Sequence, residues 1–294
     1  AVNSWTSGLI CAVGAIDIKP GDEIIVSTWT MCASATAIIH WMAIPVFADI
    51  DKDTFNINLE TIRKCYSKRT KAIIVPDIMG QSSEIDKIMS FAIKKKLIVI
   101  SDSAQAIGVK YKNKYAGTLA HVGGYSFNYH KPINCGEGGI VVTNIKKIAQ
   151  KMYLIRNHGE AVVQKMGFKD INNIVGYNFR MGEIEAAIAL SQMRQLNSII
   201  RYRKKLASIL DKELKNLPYL QIPKKQAGSD HLYYYYALKF KNKNFSKSKI
   251  IEELNKRKIP VEINYANIHM LPMFKKKIAY GKYPWKLNTR KVKY

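Results

Sequence analysis

Cysteine is scarce in this chain. The 294 residues hold only Cys11, Cys32, Cys65 and Cys135, and none of them falls in a CxxC pair. A chain of this size needs no covalent staples, so the four read as reduced thiols of a cytosol-like compartment, and a cytoplasmic location is expected. Long apolar runs are missing as well. The longest, Ala35–Ala48, holds His40 and Pro45 and is followed by Asp49. It is too short to span a bilayer, and no signal peptide is visible. Acidic residues are few, 22 against 47 Lys+Arg, for a formal net charge of +25. Such an imbalance suits nucleic acid, a membrane surface or anionic substrates. The basic residues are scattered, however, and no recognition helix, zinc-ligand spacing or aromatic–basic RNA motif accompanies them. Lys, Ile, Asn and Tyr are abundant together, which reads as compositional drift. No specific nucleic-acid partner, no membrane partner and no metal site are expected. Ala1 is no initiator and the stretch Met273–Tyr294 carries eight Lys/Arg without an acid, so both ends are expected to be incomplete.

What is present is alternation. Short β-rich runs at Glu23–Val26, Ile44–Ala48, Ala72–Val75, Leu97–Ser101, Gly124–Phe127 and Gly139–Thr143 are interleaved with helical patterns at Ser7–Ile16, Ala33–Trp41, Leu59–Cys65, Ile85–Lys95 and Lys146–Met152. Strand and helix in turn argue for an α/β fold, a mostly parallel sheet covered on both faces. From Gly182 to Leu217 apolar residues recur at i+3/i+4 spacing, one long helical stretch that Pro218 ends. Beyond it His231–Phe240 reads as a strand, Lys247–Lys258 as a helix and Pro260–Tyr265 as a further strand. The expected organisation is a large domain over residues 1–200 and a small α+β domain over residues 201–294. Neither an internal repeat nor a low-complexity linker interrupts it.

The densest chemical information lies in Ser101–Gly139. Asp102 ends a hydrophobic strand, where open α/β sheets place ligand chemistry. Lys131 follows between an aromatic run and the glycine turn Gly136-Glu137-Gly138-Gly139. An aspartate and a lysine in that order are what pyridoxal 5'-phosphate (PLP) needs. The lysine amine condenses with the cofactor aldehyde, and the carboxylate keeps the ring nitrogen protonated so that the ring withdraws electrons. Lys131 is also the expected acid/base that moves a proton at the substrate carbon. Asp102 is equally suited to cap a helix, and the Gln105 amide can face either a cofactor ring oxygen or the backbone of that helix start. Ser126, five residues before Lys131, and the small-polar turn Asn3–Gly8 leading into a helix are candidate phosphate sites or ordinary caps.

These residues resemble the DegT/DnrJ/EryC1/StrS sugar aminotransferases, a branch of the aspartate-aminotransferase-like fold type I enzymes. The resemblance runs from Ala1 to Pro272 through Pro20-Gly21-Asp22-Glu23, Pro45–Asp51, Gly80-Gln81, Asp102–Gly108, Ser126–Gly139, Arg156–Gly159 and Gly176–Met181. It implies a three-layer PLP-transferase large domain with a small C-terminal domain. It implies Lys131 as the cofactor-bearing lysine, Asp102 at the pyridine nitrogen, Gln105 by the ring, and Ser126, Thr6 and Ser7 on the phosphate. Asn178 is implied to reach the phosphate of a partner subunit's cofactor, in a homodimer with shared active sites. His158, Arg180 and His269 are candidate substrate contacts. The implied reaction moves an amino group from glutamate to a nucleotide-linked keto sugar, in amino-sugar or polysaccharide biosynthesis. Three positions depart from the pattern. Met31 stands where many relatives stack an aromatic ring, Trp5 replaces a small residue in the phosphate turn, and Asp77 stands where relatives often have histidine. One branch carries histidine for the lysine and is a sugar dehydratase. His130 adjoins Lys131, but five residues on from Ser126 is Lys131, which points to amino transfer. A non-catalytic relative that keeps the fold is the remaining alternative.

Overall fold

The computed structural model describes residues 1–159, 174–241, 246–262 and 266–275. In chain order the elements are α1 (Trp5–Ala15), β1 (Glu23–Ser27), α2 (Ala33–His40), β2 (Ile44–Ala48), α3 (Leu59–Cys65), β3 (Thr70–Pro76), α4 (Ile85–Lys95), β4 (Ile98–Asp102), the short pair β5 (Lys110–Tyr111) and β6 (Lys114–Tyr115), β7 (Val122–Ser126), β8 (Gly139–Val142), α5 (Lys146–Arg156), α6 (Glu183–Met193), α7 (Leu196–Leu214), β9 (Leu220–Gln221), β10 (Lys239–Phe240), α8 (Lys247–Lys256) and α9 (Pro272–Lys275).

The main sheet has the order β2-β1-β3-β4-β7-β8. Its first five strands run parallel and β8 is antiparallel to β7. Side chains alternate across a strand, so neighbouring residues enter different layers. Ile24, Val26, Ile74 and Ile100 join Leu9, Val13, Ile38, Ile148 and Ile155 under α1, α2 and α5. Ile25, Ile73, Val75 and Val99 join Ile62, Ile85 and Ile88 under α3 and α4. The unbroken β-branched runs of the central strands are therefore buried on both faces, and the three-layer α/β fold follows. Ile74→Ala is expected to cost about 2–5 kcal/mol, since fully buried Ile74 cannot be replaced without a cavity; the midpoint of urea unfolding reads it, at unchanged slope.

The sheet has two rims. β8 is bridged by the N-terminal segment, Val2 and Gly139 exchanging backbone hydrogen bonds at 2.9 Å each way. β2, on the far rim, carries Pro45. Among the described residues no helix is long and apolar enough to cross a membrane.

Several expectations change. Gly182–Leu217 is not one helix: α6 and α7 are separate, with Arg194 and Gln195 between them. Residue 200, the expected domain boundary, lies inside α7. His231–Phe240 is not one strand: His231 makes a single bridge to Gln81, and Lys239–Phe240 pairs with β9. Tyr233 has φ +55°, a left-handed conformation that a strand cannot absorb. The expected helix 247–258 ends at Lys256. Of Pro260–Tyr265, residues 260–262 form no strand and 263–265 lie outside the described residues.

Candidate active site

The parallel strands deliver their carboxyl ends to one side of the sheet, where β1 is flanked by β2 and β3 and the chain order reverses. There Ser4, Trp5, Thr6, Thr30, Met31, Asp77, Asp102, Gln105, Ser126, His130 and Lys131 line a cavity of about 150 Å³. A cavity of that size accepts one six-membered aromatic ring.

Asp102 is the last residue of β4, and no helix follows it: residues 103–109 are irregular backbone with turns at 104–105 and 107–108. The cap reading for Asp102 and Gln105 therefore falls away. Instead the Asp102 carboxylate is held by side chains distant in sequence. The Trp5 indole N–H donates to Oδ1 at 2.6 Å and the Ser34 hydroxyl donates to Oδ2 at 2.7 Å. Gln105 Oε1 accepts from the Met79 backbone N–H at 2.8 Å, which fixes its side chain against the tight turn Ile78–Gly80 that follows β3.

Lys131 lies in the connection between β7 and β8. Its backbone N–H bonds the Asn128 carbonyl, while Phe127 bonds Gly138, so Ser126–Gly139 leaves the sheet and returns to it in one excursion. Gly136, at φ +83°, supplies the left-handed turn. The Lys131 amine sits 3.4 Å from the Tyr234 hydroxyl and over that ring, 4.8 Å from its centroid. Burial lowers its pKa to about 8, and the charges of Asp102 and Glu137 pull the other way. Burial, with Lys131 beside it, also lowers His130, whose side chain is more exposed.

At the other wall α1 begins. Ser4 caps it, its hydroxyl accepting from the Ser7 N–H at 3.1 Å. Ser7 donates to Asn3 at 2.6 Å. The first turn contains no acidic residue, so the positive end of the helix faces the cavity uncompensated, as an anion requires. Ser126 closes this side from the end of β7.

Thus Thr6, Met31, Asp102, Gln105, Ser126 and Lys131 come together around one cavity, with Ser7 one residue behind Thr6. Met31 is 53% exposed. Asn178, His158, Arg180 and His269 do not line the cavity. Asn178 bridges Asn157, to whose side chain Arg180 donates. His158 turns at φ +59°, and His269 packs beside Phe47. Sequence reading missed Ser34 and Tyr234. The only signal was a hydroxyl and a phenol among many, and their partners lie 68 and 103 residues away.

Asp77 lies behind Asp102. It accepts from Ser101 and Ser103 hydroxyls and the Ser83 N–H. Burial pushes its pKa up to about 6 against those bonds, and the charge of Asp102 adds to the rise. The folded protein therefore holds this proton more tightly than the unfolded chain does, so stability falls as pH rises from about 4 to about 6. Asp77→Asn is expected to remove that fall; urea titrations of both proteins at the two ends of the window measure it.

Three comparisons bear on this geometry. A family model described as the DegT/DnrJ/EryC1/StrS aminotransferase family matches residues 1–290. The chain is 32% identical over 283 residues to the GDP-perosamine synthase of Escherichia coli O157:H7, covering 96% of this chain and 75% of that one. In structure it is similar to PseC of Helicobacter pylori, an aminotransferase involved in the biosynthesis of pseudoaminic acid (TM-score 0.85, 31% identity, 94% of this chain and 75% of that one). It is also similar to the E. coli GDP-4-keto-6-deoxy-D-mannose-3-dehydratase with bound hydrated PLP (TM-score 0.79, 26% identity, 87% and 70%).

Proposed function

The chain belongs to the DegT/DnrJ/EryC1/StrS aminotransferase family, and from that membership we propose that it is a PLP-dependent transaminase moving an amino group from glutamate to a nucleotide-linked keto sugar. The observation that carries this reading is the meeting of Lys131 and Asp102 at one ring-sized cavity with an uncompensated helix N-terminus beside it. The residues fit the cofactor on the chemistry of each wall: an acid for the ring nitrogen, a buried amine of lowered pKa for the aldehyde, and hydroxyls with helix N–H groups for the phosphate.

In this reading Asp102 faces the ring nitrogen, Gln105 lies by the ring, and Thr6, Ser7 and Ser126 hold the phosphate. When bound, PLP supplies an aldehyde for amine condensation and an electron-withdrawing ring. Lys131 Nζ takes the proton from the α-carbon of glutamate and later returns one to the sugar carbon. Its low pKa makes both transfers accessible near neutral pH. Glutamate leaves as the 2-oxo acid and the sugar carbonyl becomes an amine. Met31, which lines the cavity, would lie against the ring in place of an aromatic side chain; a thioether is polarisable enough for that.

The chain acts as a homodimer in which Asn178 serves the partner's phosphate. What supports this is α6, whose Ile184, Ile188, Leu190 and Met193 are all exposed, more apolar surface than one short helix ordinarily leaves to water. His158, Arg180 and His269 are assigned to substrate, completed across that contact. The division into a large unit through residue 200 and a small one beyond is retained as a proposal, with α7 as the connecting element. The net charge of +25 favours approach of an anionic nucleotide sugar.

The test is a panel of nucleotide keto sugars with PLP and glutamate, read by mass spectrometry. The expected product carries an amine in place of the keto oxygen, with 2-oxoglutarate in equal amount. Loss of a hydroxyl without amine gain would instead identify a dehydratase, and no product with any sugar, from protein that stays colourless in PLP, a non-catalytic relative.

A further inference from the structure

Trp5 sits in the first turn of α1 beside Thr6 and Ser7, yet its side chain does not point to the phosphate end of the cavity. It runs beneath it and donates its indole N–H to Asp102 Oδ1 at 2.6 Å. The residue is 4% exposed. Its ring rests on bare backbone. A Cβ on Gly124 would lie 2.1 Å from a Trp5 ring carbon, and one on Gly8 would lie 2.8 Å from another. A Cβ on Gly139 would lie 2.9 Å from the Trp5 backbone nitrogen. Contacts under 3 Å are essentially never shown by real Cβ atoms, so Gly8 on α1 and Gly124 on β7 must stay glycine for this indole to lie here, while Gly139 on β8 is held to glycine by the backbone of Ser4 and Trp5. An aromatic ring so confined has no alternative rotamer to visit.

We propose that Trp5 is a positioning residue that fixes the Asp102 carboxylate relative to the phosphate-binding turn, by an N–H donor that a small residue at this place could not supply. One side chain thereby ties the helix N-terminus, which holds one end of the cofactor, to the acid that holds the other. Ser34 secures Oδ2 at 2.7 Å, so the two donors together set the plane of the carboxylate. Without the indole N–H, among the described residues Oδ1 keeps only the Ala104 backbone N–H at 3.3 Å, and the carboxylate loses the donor that, with Ser34, sets its orientation.

The inference rests on the reading of Asp102 as the partner of the ring nitrogen, and the experiment separates the two. PLP affinity is measured by absorbance titration of protein freed of cofactor, for wild type, Trp5→Phe, Asp102→Asn and the double variant. Trp5→Phe is expected to weaken PLP binding about tenfold, the size of a lost hydrogen bond to a charged group. In the Asp102→Asn background the same change is expected to alter affinity less than about twofold, because the coupled partner is already altered. A role in packing alone would give equal losses in both backgrounds and would overturn the proposal, as would wild-type affinity in Trp5→Phe. If Trp5→Phe folds poorly, 3-benzothienylalanine in place of Trp5 keeps the shape and lacks the N–H; unchanged affinity there overturns the proposal too. Wild-type protein that binds no PLP overturns the reading of Asp102, and this inference with it.

Discussion

Lys131→Ala is expected to lose more than about a thousandfold in turnover, the sum of a missing acid/base and a missing covalent anchor. Borohydride treatment of PLP-loaded wild type should fix the cofactor on the peptide that contains Lys131, and the variant should show no fixed cofactor. A variant that still transferred amino groups would move the role to another amine. The pH dependence has a defined sign. The neutral amine is the nucleophile, and burial lowers Lys131 to about 8 from 10.5. Capture of added PLP by the cofactor-free protein should therefore rise with pH and level off above about 8, well before an ordinary surface lysine would.

The second large effect is that of Asp102→Asn. The substitution keeps the shape and removes the charge, so the ring nitrogen loses the partner that keeps it protonated. Turnover is expected to fall roughly a hundredfold, the scale of about 3 kcal/mol for a buried charge-assisted hydrogen bond. The protein should still fold, since the substitution keeps the side-chain shape and Ser34 can still donate to the one amide oxygen. Single-turnover absorbance with glutamate separates a loss in chemistry from a loss in binding. Retention of wild-type turnover would remove Asp102 from the mechanism.

What was legible in the sequence was whatever is written locally. The runs at Ile24–Val26, Ile73–Val75 and Ile98–Ile100 are β-branched and continuous, and only doubly covered strands tolerate that. The pairing of Asp102 with Lys131 was legible because each sits at a strand's carboxyl side with turn residues beyond it. The reading failed where tertiary contact overrides local pattern. The aromatic run Tyr233–Tyr236 looks like a strand, but Tyr233 takes φ +55° and Tyr234 folds over the Lys131 amine. The break between α6 and α7 carries no glycine or proline, only Arg194 and Gln195. Trp5 stood out as an odd residue in a phosphate turn, but its partner is 97 residues away, and spacing along the chain cannot reveal such a bond. Asp77 was visible as a departure; its three donors, from Ser83, Ser101 and Ser103, were not.

The treatment of the sheet's two rims bears on behaviour in a crowded cell. A long rim of vacant amides invites another molecule to add its own strand and begin a fibril. On β8, Val2 already occupies part of that row through its two bonds with Gly139. On β2, Pro45 removes a donor from a strand only five residues long. Among the described residues neither border offers an unbroken template, which works against edge-to-edge joining of sheets whose interior is so rich in isoleucine.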